Sequence, residues 1–219
     1  MAARPDDLRT SALAWSKLEV RRIVRDVYMW RDVEHFALSE YQTQLIVSFS
    51  RFITDRISNG FKGYYLNFMF HQLRGDQATL KSQMRNEAER FYATVITRII
   101  RNPRSSTALS KLPVFIGCPD LPVWKHEKLS LSETKINNGL HFNGVFLVPA
   151  ISRLKTGFKT HMQEHQYLYV DQRPALNRIH VKRIRKTPQI MMDYTLKAVK
   201  NGKISHDDLL ILPKHSSEL

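Results

Sequence analysis

Leu140-His141-Phe142-Asn143-Gly144-Val145-Phe146-Leu147-Val148 reads as a strand with two unlike faces. Successive side chains on a strand point to opposite sides, so His141 and Asn143 share one face while Leu140, Phe142, Phe146 and Val148 share the other. The second set is apolar and calls for a cover of helices. The first begins with an imidazole nitrogen and a carboxamide oxygen, two groups able to bind a divalent cation. The turn signal Asn137-Asn138-Gly139 just before it predicts a hairpin with a strand over Leu129 to Thr134.

In a hairpin centred on Asn137, Glu133 lies across from His141 and supplies a third ligand. Imidazole, amide and carboxylate, with room for water, suit Mg²⁺ or Mn²⁺ better than a closed zinc site. That register also places Ser130, Ser132 and Thr134 on the face of Phe142 and Phe146, a poor match for an apolar layer. A bulge or another register brings His126 or Glu127 into the third place instead.

Outward from this strand, periodicity marks the other elements. Residues from about Ser11 to Arg25 look helical. A helix over Ser39 to Ile57 ends at Asn59-Gly60, and Tyr64 to Phe70 suits a buried strand. Asp76 opens a helix whose stripe is Leu80, Met84, Ala88, Phe91, Val95 and Ile99, stopped by Asn102-Pro103. Pro113 to Ile116 is a short strand, and Pro119 and Pro122 argue against regular structure immediately beyond it. A helix near Lys155 to Gln166 and a strand over Asn177 to Ile184 follow. Thr187 and Pro188 are the expected cap and first residue of a last helix, which Asn201-Gly202 closes. The order gives an α+β fold: a central antiparallel sheet with helices on it over 61–219, preceded by a helical extension over 1–60.

Of 219 residues 42% are hydrophobic, enough for one sizeable core. Lys and Arg number 34 against 20 acids, a formal net charge of +14, which favours polyanionic partners, nucleic acid first. The single cysteine, Cys118, excludes an intrachain disulfide and a Cys-rich zinc site. The N-terminal residues carry no hydrophobic signal segment, and no apolar run has the length to span a bilayer. The expectation is a soluble protein without a membrane partner, cytoplasmic in a prokaryotic host or nuclear in a eukaryote.

On the last helix Met192, Leu196 and Val199 form the packing stripe, leaving Tyr194 and Lys197, three residues apart, on the other side. A phenol becomes a competent nucleophile when its developing charge is stabilised, and a neighbouring ammonium offsets that charge.

Taken together, Leu66-Asn67-Phe68-Met69-Phe70, His141-Phe142-Asn143 and Tyr194-Thr195-Leu196-Lys197 resemble, in order and spacing, the three motifs of the HUH endonucleases. The third motif is closest to single-tyrosine rolling-circle replication initiators. Asn143 stands where that family usually carries a second His, and an amide binds metal less strongly than imidazole. The resemblance spans roughly Phe61 to Gly202. It implies an HUH/Rep-like nuclease domain that nicks and joins single-stranded or hairpin DNA at a specific site. Tyr194 would be the nucleophile forming a 5′-phosphotyrosine, assisted by Lys197, with Mg²⁺ or Mn²⁺ on His141, Asn143 and Glu133.

DNA contacts are expected from Asn67, from Lys182, Arg183, Arg185 and Lys186 before the last helix, and from Arg153 and Lys155 after the ligand strand. No phosphate-cradling Gly-Lys-Ser/Thr loop is present, so a replication role borrows a host helicase and polymerase. A transposase or mobilisation relaxase needs the same chemistry. A non-catalytic DNA-binding protein on the same fold is the rival from another class.

Overall fold

The computed structural model describes residues 40–121, 136–171, 175–185 and 187–214. The expected helix over Ser11 to Arg25 lies outside them. The architecture is α+β, built on one five-stranded antiparallel sheet. The described elements, in chain order, begin with α1 (Glu40–Ser58), β1 (Lys62–Phe70), α2 (Gln77–Ile99), β2 (Val114–Asp120) and β3 (His141–Val148). They continue with α3 (Phe158–Glu164), α4 (Tyr167–Val170), β4 (Leu176–Arg183), α5 (Pro188–Thr195), α6 (Lys197–Lys200) and β5 (Leu210–Leu212). The strand order is β4-β1-β3-β2-β5.

Both hydrogen-bonding edges of β3 are therefore occupied, by β1 on one side and β2 on the other. This corrects the expected hairpin: residues 129–134 lie outside the described residues, and the edge they were to occupy belongs to another strand. The Asn137-Asn138-Gly139 turn does form, with left-handed φ of 52°, 53° and 77° in succession. It leads into β3 from a 3₁₀ segment, Ile136–Gly139.

The phenylalanine face holds Phe68, Phe115, Phe142 and Phe146, all fully buried, with Phe68 edge-on to Phe91 of α2. Helix α3 closes the same face by placing Phe158 against Tyr64 and Phe146. The ring of Phe115 lies over paired Gly117 and Gly144, where a Cβ on Gly144 would stand 2.3 Å from Phe115 Cε2. Gly144 thus follows His141-Phe142-Asn143 for a steric reason: it makes room for an aromatic ring from the next strand.

The opposite face carries α1, α5 and α6. Helix α1 sends Ile46 and Ile53 into the shared core and lies against α5. Asp76 caps α2 as expected, its carboxylate accepting from the Thr79 N–H at 2.8 Å. Thr187 does not act as the expected cap of α5: it sits in the left-handed region without a side-chain cap bond, although Pro188 holds the first helical position. Gly202, with φ of 65°, follows α6 as the terminator the sequence calls for. Among the described residues no helix is long and apolar enough to cross a membrane.

Gly144→Ala should cost about 1–3 kcal/mol of stability, because the added methyl must displace Phe115 or the strand itself. Urea unfolding with an unchanged m-value and a lowered midpoint is the expected result.

Candidate active site

The face that carries α5 is the one on which the register gathers polar side chains. Asp120 lies opposite His141, and Asn143 is flanked by Cys118 on β2 and Asn67 on β1. Tyr65 is two residues from Asn67 on the same face. On β4 the same face presents Arg178, His180 and Lys182, all exposed.

Asp120 is the centre. Its carboxylate is fully buried, and Oδ2 receives the Lys197 ammonium at 2.8 Å and the Asn143 amide Nδ2 at 2.6 Å. His141 Nε2 stands 3.3 Å from the same oxygen and 3.2 Å from Asn143 Nδ2. At the other side of the imidazole, Nδ1 lies 3.0 Å from the Gly139 carbonyl. A carbonyl only accepts, so Nδ1 carries hydrogen and Nε2 is the atom turned toward Asp120 and Asn143. Metal-binding imidazoles are commonly oriented in this way.

The Gly139 carbonyl is itself fixed by the turn. Asn137 Oδ1 accepts the Leu73 N–H at 2.7 Å, and its Nδ2 donates to the His71 carbonyl at 2.9 Å. Asn137 therefore ties the segment leaving β1 to the segment entering β3, and through Gly139 it sets the plane of His141.

Tyr194 and Lys197 reach this cluster from a break between helices. Helix α5 ends at Thr195 and α6 begins at Lys197, with Leu196 at φ −91°, ψ 9° between them. Cys118 Sγ lies 3.3 Å from the Thr195 carbonyl and pins the break to β2. Burial, with the nearby Asp120 carboxylate second, pushes the Cys118 thiol up out of the ordinary range, so it stays protonated as the donor of that contact. Lys197 Nζ is 4.3 Å from the centre of the Tyr194 ring while it holds Asp120. Tyr194 itself is 40% exposed.

Tyr65 meets Tyr194 edge-on, ring centres 5.7 Å apart. Burial first, then the charges of Tyr194 and Asp120, push the Tyr65 phenol well above its ordinary value, and a hydrogen bond to Tyr194 adds to this. Tyr65 therefore keeps its proton beside Tyr194.

Tyr194, Lys197, His141, Asn143 and Asn67 are thus gathered on one face, with Lys182 on it two strands away from β3. Expected third ligand Glu133 lies outside the described residues, as do its rivals Glu127 and His126; the carboxylate opposite His141 is Asp120. Arg183 falls on the other face beside Tyr64. Arg185 is exposed just past β4, and Lys186 lies outside the described residues. The structure does not bring Arg153 and Lys155 to the cluster. They follow the far end of β3, where Arg153 donates to the carbonyls of Ile99 and Thr97 at the end of α2.

Asp120 and Tyr65 are the members of the cluster that the sequence analysis does not place there. Pro119 hid the first, because it suggested that the strand had ended. Opposite Pro119, β2 pairs with β3 on one side only, since β5 reaches no further than Gly117. A proline is tolerated there. Tyr65 was legible from parity, being two residues from Asn67 on β1.

The donor set fits a hard divalent cation: a carboxylate, an imidazole with its far nitrogen anchored, and an amide. Among the described residues no three His, Cys, Asp or Glu side chains group together, so Asp120 and His141 depend on an amide to complete the set. Three buried oxygens on this face, Asp120 Oδ1, Asn143 Oδ1 and Asn67 Oδ1, accept no hydrogen bond from the described residues. Buried acceptors of this kind ordinarily have a partner, whether a protein donor, an ordered water or a cation. Comparison of the chain with family models, with curated proteins and with solved structures gave no match.

Asn137→Ala removes both clamps and should cost about 1–3 kcal/mol, since it leaves the Leu73 N–H and the His71 carbonyl without their partner. In NMR spectra the His141 ring resonances should shift in this variant while those of His161, on the other face, stay in place.

Proposed function

We propose that the protein is a site-specific DNA-nicking and strand-joining enzyme of the HUH type, acting through a 5′-phosphotyrosine formed on Tyr194. One observation carries this reading: a lysine from the last helices pairs with the Asp of an Asp–His–Asn cluster on the sheet while its ammonium lies over the ring of Tyr194. Antiparallel order with helices on both faces suits this family as well.

In this reading the Tyr194 oxygen attacks the scissile phosphorus, and a bond forms between tyrosine and the 5′ phosphate. The bond to the 3′ oxygen breaks, and that oxygen leaves as a 3′ hydroxyl after taking up a proton; the phenolic proton departs as the new bond forms. Lys197 offsets negative charge on the phenol and phosphate, and Tyr65, edge-on to Tyr194, holds that ring in place. Asp120, His141 and Asn143 would hold Mg²⁺ or Mn²⁺, which when bound polarises the phosphate. Exposed Arg178, His180 and Lys182 on the same face, together with Asn67, offer a path for a single strand toward Tyr194. The freed hydroxyl suits priming of replication, with a host helicase and polymerase as partners; transposition or mobilisation would use the same chemistry on other DNA.

Incubation with labelled single-stranded or hairpin DNA and Mn²⁺ should give a denaturation-resistant adduct. Tyr194→Phe should abolish the adduct and leave DNA affinity nearly intact, and His141→Ala should slow adduct formation by about 100-fold or more. Salt-dependent DNA binding by a wild type that never forms the adduct would replace the nuclease with a non-catalytic DNA-binding protein.

A further inference from the structure

The Asp120 carboxylate has a cation already. Lys197 Nζ sits 2.8 Å from Oδ2, with only 17% of the lysine side chain exposed and none of the aspartate. An ammonium so placed satisfies a buried carboxylate that would otherwise stand uncompensated. It also occupies the oxygen that faces His141 Nε2, the other strong donor of the cluster. A divalent ion drawn to Asp120 and His141 would therefore meet a positive charge at contact distance, where repulsion in a poorly hydrated setting is strong.

The lysine has somewhere else to go. It begins α6, beyond the break at Leu196, and its ammonium already lies over the Tyr194 ring. Leaving Asp120 keeps that ring contact and frees three donors beside the phenol. Asn143 shows the same poise. Its Nδ2 serves Asp120 while its Oδ1 is buried and without a donor among the described residues. A half-turn of the amide would present oxygen in place of nitrogen.

We propose that Lys197 is the resting occupant of the cation site, and that Mg²⁺ or Mn²⁺ exchanges with it on Asp120, releasing the ammonium to the Tyr194 phenol and the substrate phosphate. The inference rests on the cation site of the proposed nuclease and adds an order of events: the tyrosine is armed only when the ion has arrived. No proton or covalent bond changes hands in the exchange.

Mn²⁺ alone is the probe, titrated into the full chain and followed by the electron paramagnetic resonance signal of free Mn²⁺. Lys197→Met leaves Asp120 without its cation and should bind Mn²⁺ roughly tenfold tighter than wild type. Lys197→Gln, which keeps a donor for Asp120 and guards against a folding defect, should also bind tighter. Lys197→Arg retains the charge and should stay within about threefold of wild type. Mn²⁺ should raise the melting temperature of Lys197→Met more than that of wild type.

Equal or weaker Mn²⁺ binding by both neutral variants overturns the exchange, as does a complete lack of Mn²⁺ binding by all the proteins. Adduct formation by wild type without any gain in the neutral variants removes the exchange alone. A gain in the neutral variants with no adduct from wild type supports the exchange and removes the nuclease reading alone.

Discussion

A single buried carboxylate organises the polar side of this molecule. Asp120 has no access to solvent, and a charge in that position is tolerated only with close compensation. Two groups donate to it, an ammonium from α6 and an amide from β3, and the same amide meets the imidazole of His141. Each member of the cluster is held by a different part of the fold. The α5–α6 break is fixed to β2 through Cys118, Asn143 sits between two paired strands, and His141 is aimed by a carbonyl of the entering turn. Loosening any one of these leaves a buried charge short of partners, so the layer of helices and the sheet are coupled at this point.

The other face works by different physics. It is a layer of aromatic rings, mostly edge-on or tilted to one another with Phe115 and Phe142 stacked, over strands that contribute glycine where a ring must pass close. That layer keeps β1, β2 and β3 in fixed register, and the register decides which side chains meet on the polar face. A shift of one residue would turn Asp120 away from the helices and set Pro119 in its place. Precision at the polar cluster is thus supplied from behind, by packing that touches none of its members.

Much of this could be read from residues. The 3.6-residue stripe of α2 and its Asp76 cap, the aromatic run of β1 and the alternation of β3 each fell where the pattern placed them. Alternation alone put His141 with Asn143, and helical spacing put Tyr194 and Lys197 off the packing stripe of α5 and α6. What could not be read was strand order. The Asn137-Asn138-Gly139 signal suggests a local hairpin, yet Asn137 spends its amide on His71 and Leu73, residues distant in sequence. Local turn chemistry does not report which strands become neighbours, so Asp120, the carboxylate paired across from His141, was not legible. β5 has only Leu210–Leu212, too few residues to show any period. The positive charge of Arg153 gave no hint that its guanidinium would close the end of α2.

The two outermost strands of the sheet are finished in contrasting ways. β5 is three residues long, so it offers little backbone for another strand to join. β4 is longer, but Arg178, His180, Lys182 and Arg183 stud both of its sides with exposed cationic or polar groups. Such edges resist pairing with a second copy of themselves, because like charges would be brought side by side. On β4 the Ile179 N–H is in addition taken by Gln166 Oε1 at 2.8 Å, so charge and a side-chain cover together discourage a second strand from joining there.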